Sequence, residues 1–230
     1  MTTSLKLISL FCLFLFVLPQ HADAQRRGKR IKQRFRASLI TGFNLSQIDG
    51  DNYNGFDKFN PQFGIGGTAV INRQSEIGIE LLYHNKGART ESDPRRLLNT
   101  KDRLVDLSYV EVPIYFRHNR RETFPTVYFE GGGAFARLID AKIDEPAVVQ
   151  DGLILSGLEN DLQENELSLL LGIGYQFTEH IGARFRYSFA LTRVYNTADL
   201  SEEAALQIEQ ERGVMQLRNY YISLAAFYRF

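Results

Sequence analysis

Side chains able to do chemistry are few and scattered in this sequence. Its histidines are His21, His84, His118 and His180. Of these, His84 lies in the segment Glu80-Leu81-Leu82-Tyr83-His84-Asn85-Lys86, where it would point inward near one rim and face a loop carboxylate, the pairing an acid–base or nucleophilic hydrolase requires. No nucleophile accompanies it, which makes an enzyme the least favoured reading. His118 and His180 fall at short turns of the opposite end and cannot share a site with it.

Three further motifs reduce to structure. Asp49-Gly50-Asp51-Asn52-Tyr53-Asn54-Gly55 resembles the start of a calcium loop, but Tyr53 stands at the third ligand position and no suitably spaced glutamate follows. Gly64-Ile65-Gly66 and Gly172-Ile173-Gly174 lie inside strand patterns, not between a strand and a helix, so neither is a nucleotide fingerprint. Between Asp140 and Glu166 the acidic residues face Lys142 as the only base; solvated loop charge is the expected role, with divalent cations or a basic partner as the alternative. No catalytic set, cofactor or metal site is assigned.

What remains is charge placed at alternate positions. Arg36, Glu80, Glu111, Glu130, Arg184, Arg186 and Arg229 each share a face with small or polar neighbours while the residues between them are apolar. Glu76 to Lys86 sets Ile77, Ile79, Leu81 and Tyr83 against Gly78, Glu80, His84 and Lys86. Tyr109 to Arg117 sets Val110, Val112, Ile114 and Phe116 against Tyr109, Glu111, Tyr115 and Arg117. The same period of two runs through 167–177 and 181–192, and through Ile222, Leu224, Ala226, Tyr228 and Phe230. A period of two is a strand with unlike faces.

With weaker candidates at about 35–47, 61–72 and 125–138, the count is about eight strands, each long enough to cross a bilayer when tilted. Connections alternate between long, around 48–60, 88–103, 139–165 and 195–217, and short, around 73–75, 118–124 and 178–180. That alternation fits long extracellular loops and short periplasmic turns. A soluble β-sandwich explains neither the loop alternation, nor the strand length, nor the aromatics Tyr175, Phe177, Tyr220, Tyr228 and Phe230 near strand ends. The expected fold is an all-β, closed, antiparallel transmembrane barrel. Its seven alternating charges would meet across a lumen too narrow to leave them unpaired, acids from the middle strands against bases from the strands that meet at closure.

The flanks agree with export. Lys6, an apolar run from Leu7 to Leu18, Pro19 and Ala22-Asp23-Ala24 read as a signal peptide, 1–24, cleaved after Ala24; the run is too short for a spanning helix. Residues 25–34 form a short basic periplasmic segment and 35–230 the barrel domain. Cys12, the single cysteine, lies within the leader, so the exported part needs closure or a large core in place of disulfides. Lysine plus arginine and aspartate plus glutamate each total 27, and the basic residues are dispersed, which removes the usual argument for nucleic acid. Asp199-Leu200-Ser201-Glu202, followed by Ala204, Leu206 and Ile208 and closed by Gly213, predicts a short external helix.

Gly42-Phe43-Asn44-Leu45-Ser46-Gln47 followed by Asp49-Gly50-Asp51, then Glu80 to Gly87 and Leu107-Ser108-Tyr109-Val110-Glu111-Val112-Pro113-Ile114, together resemble the PorT-type outer-membrane β-barrel family common in Bacteroidetes. The resemblance covers essentially the whole exported chain. It implies an outer-membrane barrel of about eight strands, and in one member class a role in a secretion system for surface proteins. The expected function is a non-enzymatic membrane scaffold whose external loops bind a protein partner or support such export; a small channel is the first alternative and an outer-membrane enzyme the second. Expected contacts are outer-membrane lipid and, through the C-terminal strand ending in Phe230, the insertion machinery.

Overall fold

The computed structural model describes residues 34–49, 56, 58–90, 103–144, 162–196 and 216–230. They form β1 (Phe35–Asp49), β2 (Lys58–Val70), β3 (Ser75–Thr90), β4 (Arg103–Asn119), β5 (Thr126–Asp144), β6 (Asn165–Gln176), β7 (Ile181–Ala190), the two-residue β8 (Tyr195–Asn196) and β9 (Gln216–Arg229). From β1 to β7 each strand pairs antiparallel with the next, and β9 then bridges β7 back to β1. The seam runs from Ser38 opposite Arg229 to Asp49 opposite Arg218. Eight wall strands therefore close into a barrel. Closure leaves no sheet edge along the wall: each wall strand has a hydrogen-bonded neighbour on both sides, with the β3–β4 ladder interrupted at Glu80 and Leu81 opposite Pro113, which has no N–H.

Side chains are sorted opposite to a soluble protein. Leu171 is 63% exposed and Ile65 56%, whereas Arg117 and Arg186 are 1% exposed. The outward rows Ile77, Ile79, Leu81 and Tyr83 on β3, Ile114 and Phe116 on β4, and Leu167, Leu169, Leu171 and Ile173 on β6 make a continuous apolar belt. The period of two puts their polar neighbours inside. Among the described residues no helix is long and apolar enough to cross a membrane; the elements of crossing length are strands.

The sorting reverses toward the end with the long connections, the outer end of such barrels. On β4 the outward row passes from Val110 to Asp106 while Tyr109, Leu107 and Val105 turn into the interior. On β5 a bulge does the same work. Tyr109 faces Leu138 and Ser108 faces Asp140, so Ile139 is the extra residue, and one extra residue exchanges the two faces of a strand. Beyond it Asp140, Lys142 and Asp144 are exposed, while Ala141 and Ile143 pack inward.

That inward packing builds a cap. Ile48, Val105, Leu107, Tyr109, Ala136, Leu162, Val194, Tyr195 and Leu217 form one buried apolar cluster. Its chain segments are tied by backbone bonds from Leu138 N to Glu164 O (2.7 Å), Gln163 N to Val194 O (2.7 Å) and Val194 N to Leu217 O (2.8 Å).

The strands extend farther outward than expected. β3 continues to Thr90 and β5 to Asp144, into the segments 88–103 and 139–165 expected as loops; on β5 the face exchange at Ile139 interrupts the alternation. β9 likewise begins at Gln216 and β1 ends at Asp49. The leader, the Gly50–Gly55 part of the calcium-like loop, most of the acidic loop and the external helix lie outside the described residues.

The seam offers a test of closure. A Cβ on Gly42 would stand 2.3 Å from Leu224 O and 2.6 Å from Ala225 Cα, a collision with backbone that cannot swing away. Gly42→Val is expected to cost about 1–3 kcal/mol by overpacking, read as a lower urea midpoint for loss of the compact, heat-modifiable gel form. Gly133→Ala, whose new Cβ would meet Ser168 O at 3.5 Å, is expected to leave that midpoint unchanged.

Candidate functional site

Among the described residues the wall strands gather charge in the lumen, which is filled in two tiers. The inner tier lies toward the short turns. Glu80 on β3 takes Nη2 of Arg184 at 2.8 Å and Nη1 of Arg186 at 3.1 Å from β7 across the barrel, with a second contact to Arg184 Nη1. Glu130 on β5 takes Nη2 of Arg186 at 2.7 Å and Nη2 of Arg117 at 2.9 Å. Arg229 on β9 reaches Glu76 at 3.0 Å and Gln176 at 3.2 Å. The guanidinium of Arg117 also lies 4.1 Å from the Tyr128 ring centroid, within cation–π range. Bidentate guanidinium–carboxylate contacts fix orientation as well as charge, which is why arginine suits this place better than lysine.

The outer tier centres on Lys86. Its Nζ lies 2.7 Å from Glu111 and 2.6 Å from Glu166, between the rings of Tyr109 and Tyr221 at 4.8 and 5.0 Å from their centroids. Tyr221 donates to Glu111 at 2.6 Å, and Asn219 Nδ2 donates to Glu166 at 2.6 Å and to the Tyr109 hydroxyl at 3.2 Å. His84 joins this tier. Asn60 donates to Asn44 Oδ1 at 3.2 Å, which turns Asn44 Nδ2 toward His84 Nδ1 at 3.1 Å. The other ring nitrogen, Nε2, lies 3.3 Å from Glu111.

Within the two tiers the described charges balance. Glu76, Glu80, Glu111, Glu130 and Glu166 are matched in number by Lys86, Arg117, Arg184, Arg186 and Arg229, all nearly inaccessible, and the equally buried Lys58 is matched by the part-exposed Asp106. Such balance is what a low-dielectric interior requires, because a charge left alone there is strongly destabilising. At the outer rim Lys58 pairs with Asp106 at 2.6 Å and donates to the Lys86 and Val105 carbonyls.

Of the residues singled out from the sequence, Glu80, Glu130, Arg184 and Arg186 meet in one lattice, Glu111 sits in the other tier, and Arg229 joins Glu76. Arg36 stays apart at the inner mouth, part-exposed, bridging Glu76 at 3.2 Å and Glu179 at 3.4 Å. The rule of acids on middle strands facing bases from closing strands is incomplete, because Arg117 on β4 and Lys86 on β3 supply cations from the middle. Both alternate with their neighbours, a signal legible in the sequence; Glu166, expected as loop charge, lies on β6 and faces the lumen. The expected loop carboxylate for His84 is instead Glu111 of the wall. His84 is fully buried among Asn44, Glu111 and Tyr221, a setting that holds a ring still and brings no nucleophile within the contacts described.

Chemically these ion pairs can tie opposite walls of the barrel together. Glu130→Ala leaves Arg186 and Arg117 short of an anion and is expected to cost about 3–5 kcal/mol, measured by urea unfolding in vesicles. The double change Glu80→Leu with Arg184→Leu is expected to cost less than Glu80→Leu alone, since it removes both members of the pair. Equal loss from single and double variants would contradict a coupled lattice.

A family model described as an outer membrane protein beta-barrel domain matches residues 22–196. No curated protein matches the chain. Among solved structures, Ail, the attachment invasion locus protein of Yersinia pestis, is 14% identical, with 85% of this chain and 98% of that chain covered and a TM-score of 0.44. OprG from Pseudomonas aeruginosa is 13% identical over 85% and 95% at 0.42, and Neisserial surface protein A 12% identical over 85% and 97% at 0.43. With a family match over most of its length and a closed barrel belted by apolar side chains, this chain belongs to the outer membrane protein beta-barrel domain family.

Proposed function

We propose that this protein is a closed, non-enzymatic scaffold of the outer membrane that offers its outer rim to a protein partner, and that this partner belongs to a machinery exporting surface proteins. The observation that carries the first part is the doubly sealed lumen: the Lys86–Glu111–Glu166 tier lies above the arginine–glutamate lattice and below the apolar cap. A conducting pore needs a continuous polar path, and cross-lumen ion pairs of this kind plug an eight-stranded cylinder instead.

The rim supports the second part. Above the belt the outward face of β5 carries Asp140, Lys142 and Asp144, and β4 carries Asp106, a polar surface raised clear of the apolar wall. The export role is carried by the PorT-type likeness in Gly42–Gln47, Glu80–Gly87 and Leu107–Ile114, which are wall and rim residues and bring no active site with them.

Two measurements test this reading. Planar-bilayer recordings are expected to show no sustained current from the wild-type protein; a steady current whose ion selectivity changes on Glu111→Gln or Arg184→Gln substitution would establish the channel instead. Photo-cross-linkers at Lys142 and Asp144 in native membranes are expected to capture a discrete protein of the export machinery, and no specific capture overturns the scaffold reading.

A further inference from the structure

Three strands rise past the rim of the cylinder. β3 stays paired with β4 out to Thr90 opposite Arg103, and β4 with β5 out to Asp144 opposite Leu104. Their neighbours in the wall part from them earlier. The β2–β3 ladder ends at Gln62 opposite His84, and the β5–β6 ladder at Arg137 opposite Asn165. Leu138 N still donates to Glu164 O, but Gln163 N turns to Val194 O, so the chain before β6 leaves β5 for the cap. Above the rim β3, β4 and β5 thus make a small sheet with two lateral edges, and among the described residues no strand pairs with either.

The two edges are built differently. On β3, Lys58 donates its ammonium to Lys86 O, and Gly87, at φ 128°, kinks the strand where a Cβ would stand 2.0 Å from Val105 O. A lysine laid on the strand and a kink in its backbone both discourage further pairing. β5 has neither. From Asp140 to Asp144 it pairs with β4 without interruption and without a proline. That is about 14 Å of extended backbone, in which alternate residues direct N–H and C=O away from β4. Ala141 and Ile143 face the cap and are only half-buried, while Asp140, Lys142 and Asp144 face outward. A strand laid along this edge would pair with the free backbone groups and cover Ala141 and Ile143 with its own apolar residues. Its remaining residues would stand beside two carboxylates and one ammonium.

We propose that the Asp140–Asp144 edge of β5 receives an extended segment of the partner protein as an added strand, an inference that rests on the reading of the rim as a partner surface. Main-chain hydrogen bonds supply the attachment and alternate side chains the selection. The segment that fits carries an apolar residue at every second position and lysine or threonine between them, since a base beside Asp140 or Asp144 is favourable and a carboxylate there is not.

Amide hydrogen exchange, followed by NMR on the protein in phospholipid nanodiscs, tests it. In the protein alone, alternate amides of residues 140–144 are expected to exchange at least about tenfold faster than those of 127–136 on the same strand, which is paired on both sides there. The probe is a synthetic peptide alternating valine with lysine and threonine, N-methylated along one edge to prevent self-pairing. It is expected to slow those same amides about tenfold, and a peptide methylated along both edges to leave them unchanged. Slow exchange throughout 140–144 in the protein alone would mean that the chain's own residues cover the edge. That result, no slowing by the first peptide, or equal slowing by the second would each overturn the added strand. Capture of a partner by the cross-linkers at Lys142 and Asp144 alongside any of these results removes the added strand and leaves the rim reading standing. Slowing by the first peptide only, without such capture, removes the rim reading and leaves the edge as a strand acceptor.

Discussion

Everything in this protein follows from the pairing of β9 with β1. A strand surrounded by hydrocarbon has nothing but another strand with which to satisfy its backbone, so the sheet is stable only when its last strand meets its first. The seam achieves this over Ser38 to Asp49 against Arg229 to Arg218. Gly42 lets the two backbones approach there, since any side chain at that point would meet Leu224 O. Once the cylinder shuts, the period of two acquires fixed meaning: one set of residues faces outward for good and the other is confined to a narrow interior.

Confinement then dictates the electrostatics. Arginines and glutamates that would be solvated on a soluble sheet are packed against one another with almost no exposure, and their energies become pairwise and mutually dependent. The inner tier answers with multiple guanidinium contacts on each carboxylate. The outer tier answers differently, with a single ammonium between two carboxylates and two tyrosine rings. Glu111 shows the economy of the arrangement, drawing together donors from β3 and β9 at one carboxylate. Ties of this kind run across the cylinder and oppose its flattening, while neighbouring strands are held by the backbone ladder.

Along the axis the protein changes solvent. In the belt it is apolar outside and charged inside; beyond Tyr109 and Ile139 it is polar outside and apolar inside. The bulge at Ile139 makes the exchange possible on β5 without a break in the strand. The apolar cap is therefore an ordinary small core set on top of a membrane barrel. It also explains why the sequence pattern fades there: the greasy-out rule meets Asp140, Ala141, Lys142 and Ile143 with their meanings reversed, and the segment reads as a loop.

The sequence by itself determined the strand faces, the long and short connections, the all-β barrel and the inward placement of Glu80, Glu111, Glu130, Arg184, Arg186 and Arg229, because a period of two is a local property that each strand carries unaided. It also carried Lys86 and Arg117 on the wet face without revealing their partners. Which charge meets which was decided only by the tertiary structure: Glu80 and Arg184 are far apart in the chain, and their meeting depends on the tilt and stagger with which the cylinder closes. The division into two tiers, the wall carboxylate beside His84 and the cap above them have the same origin, since each is a relation between strands that become neighbours across a lumen only after β9 has found β1.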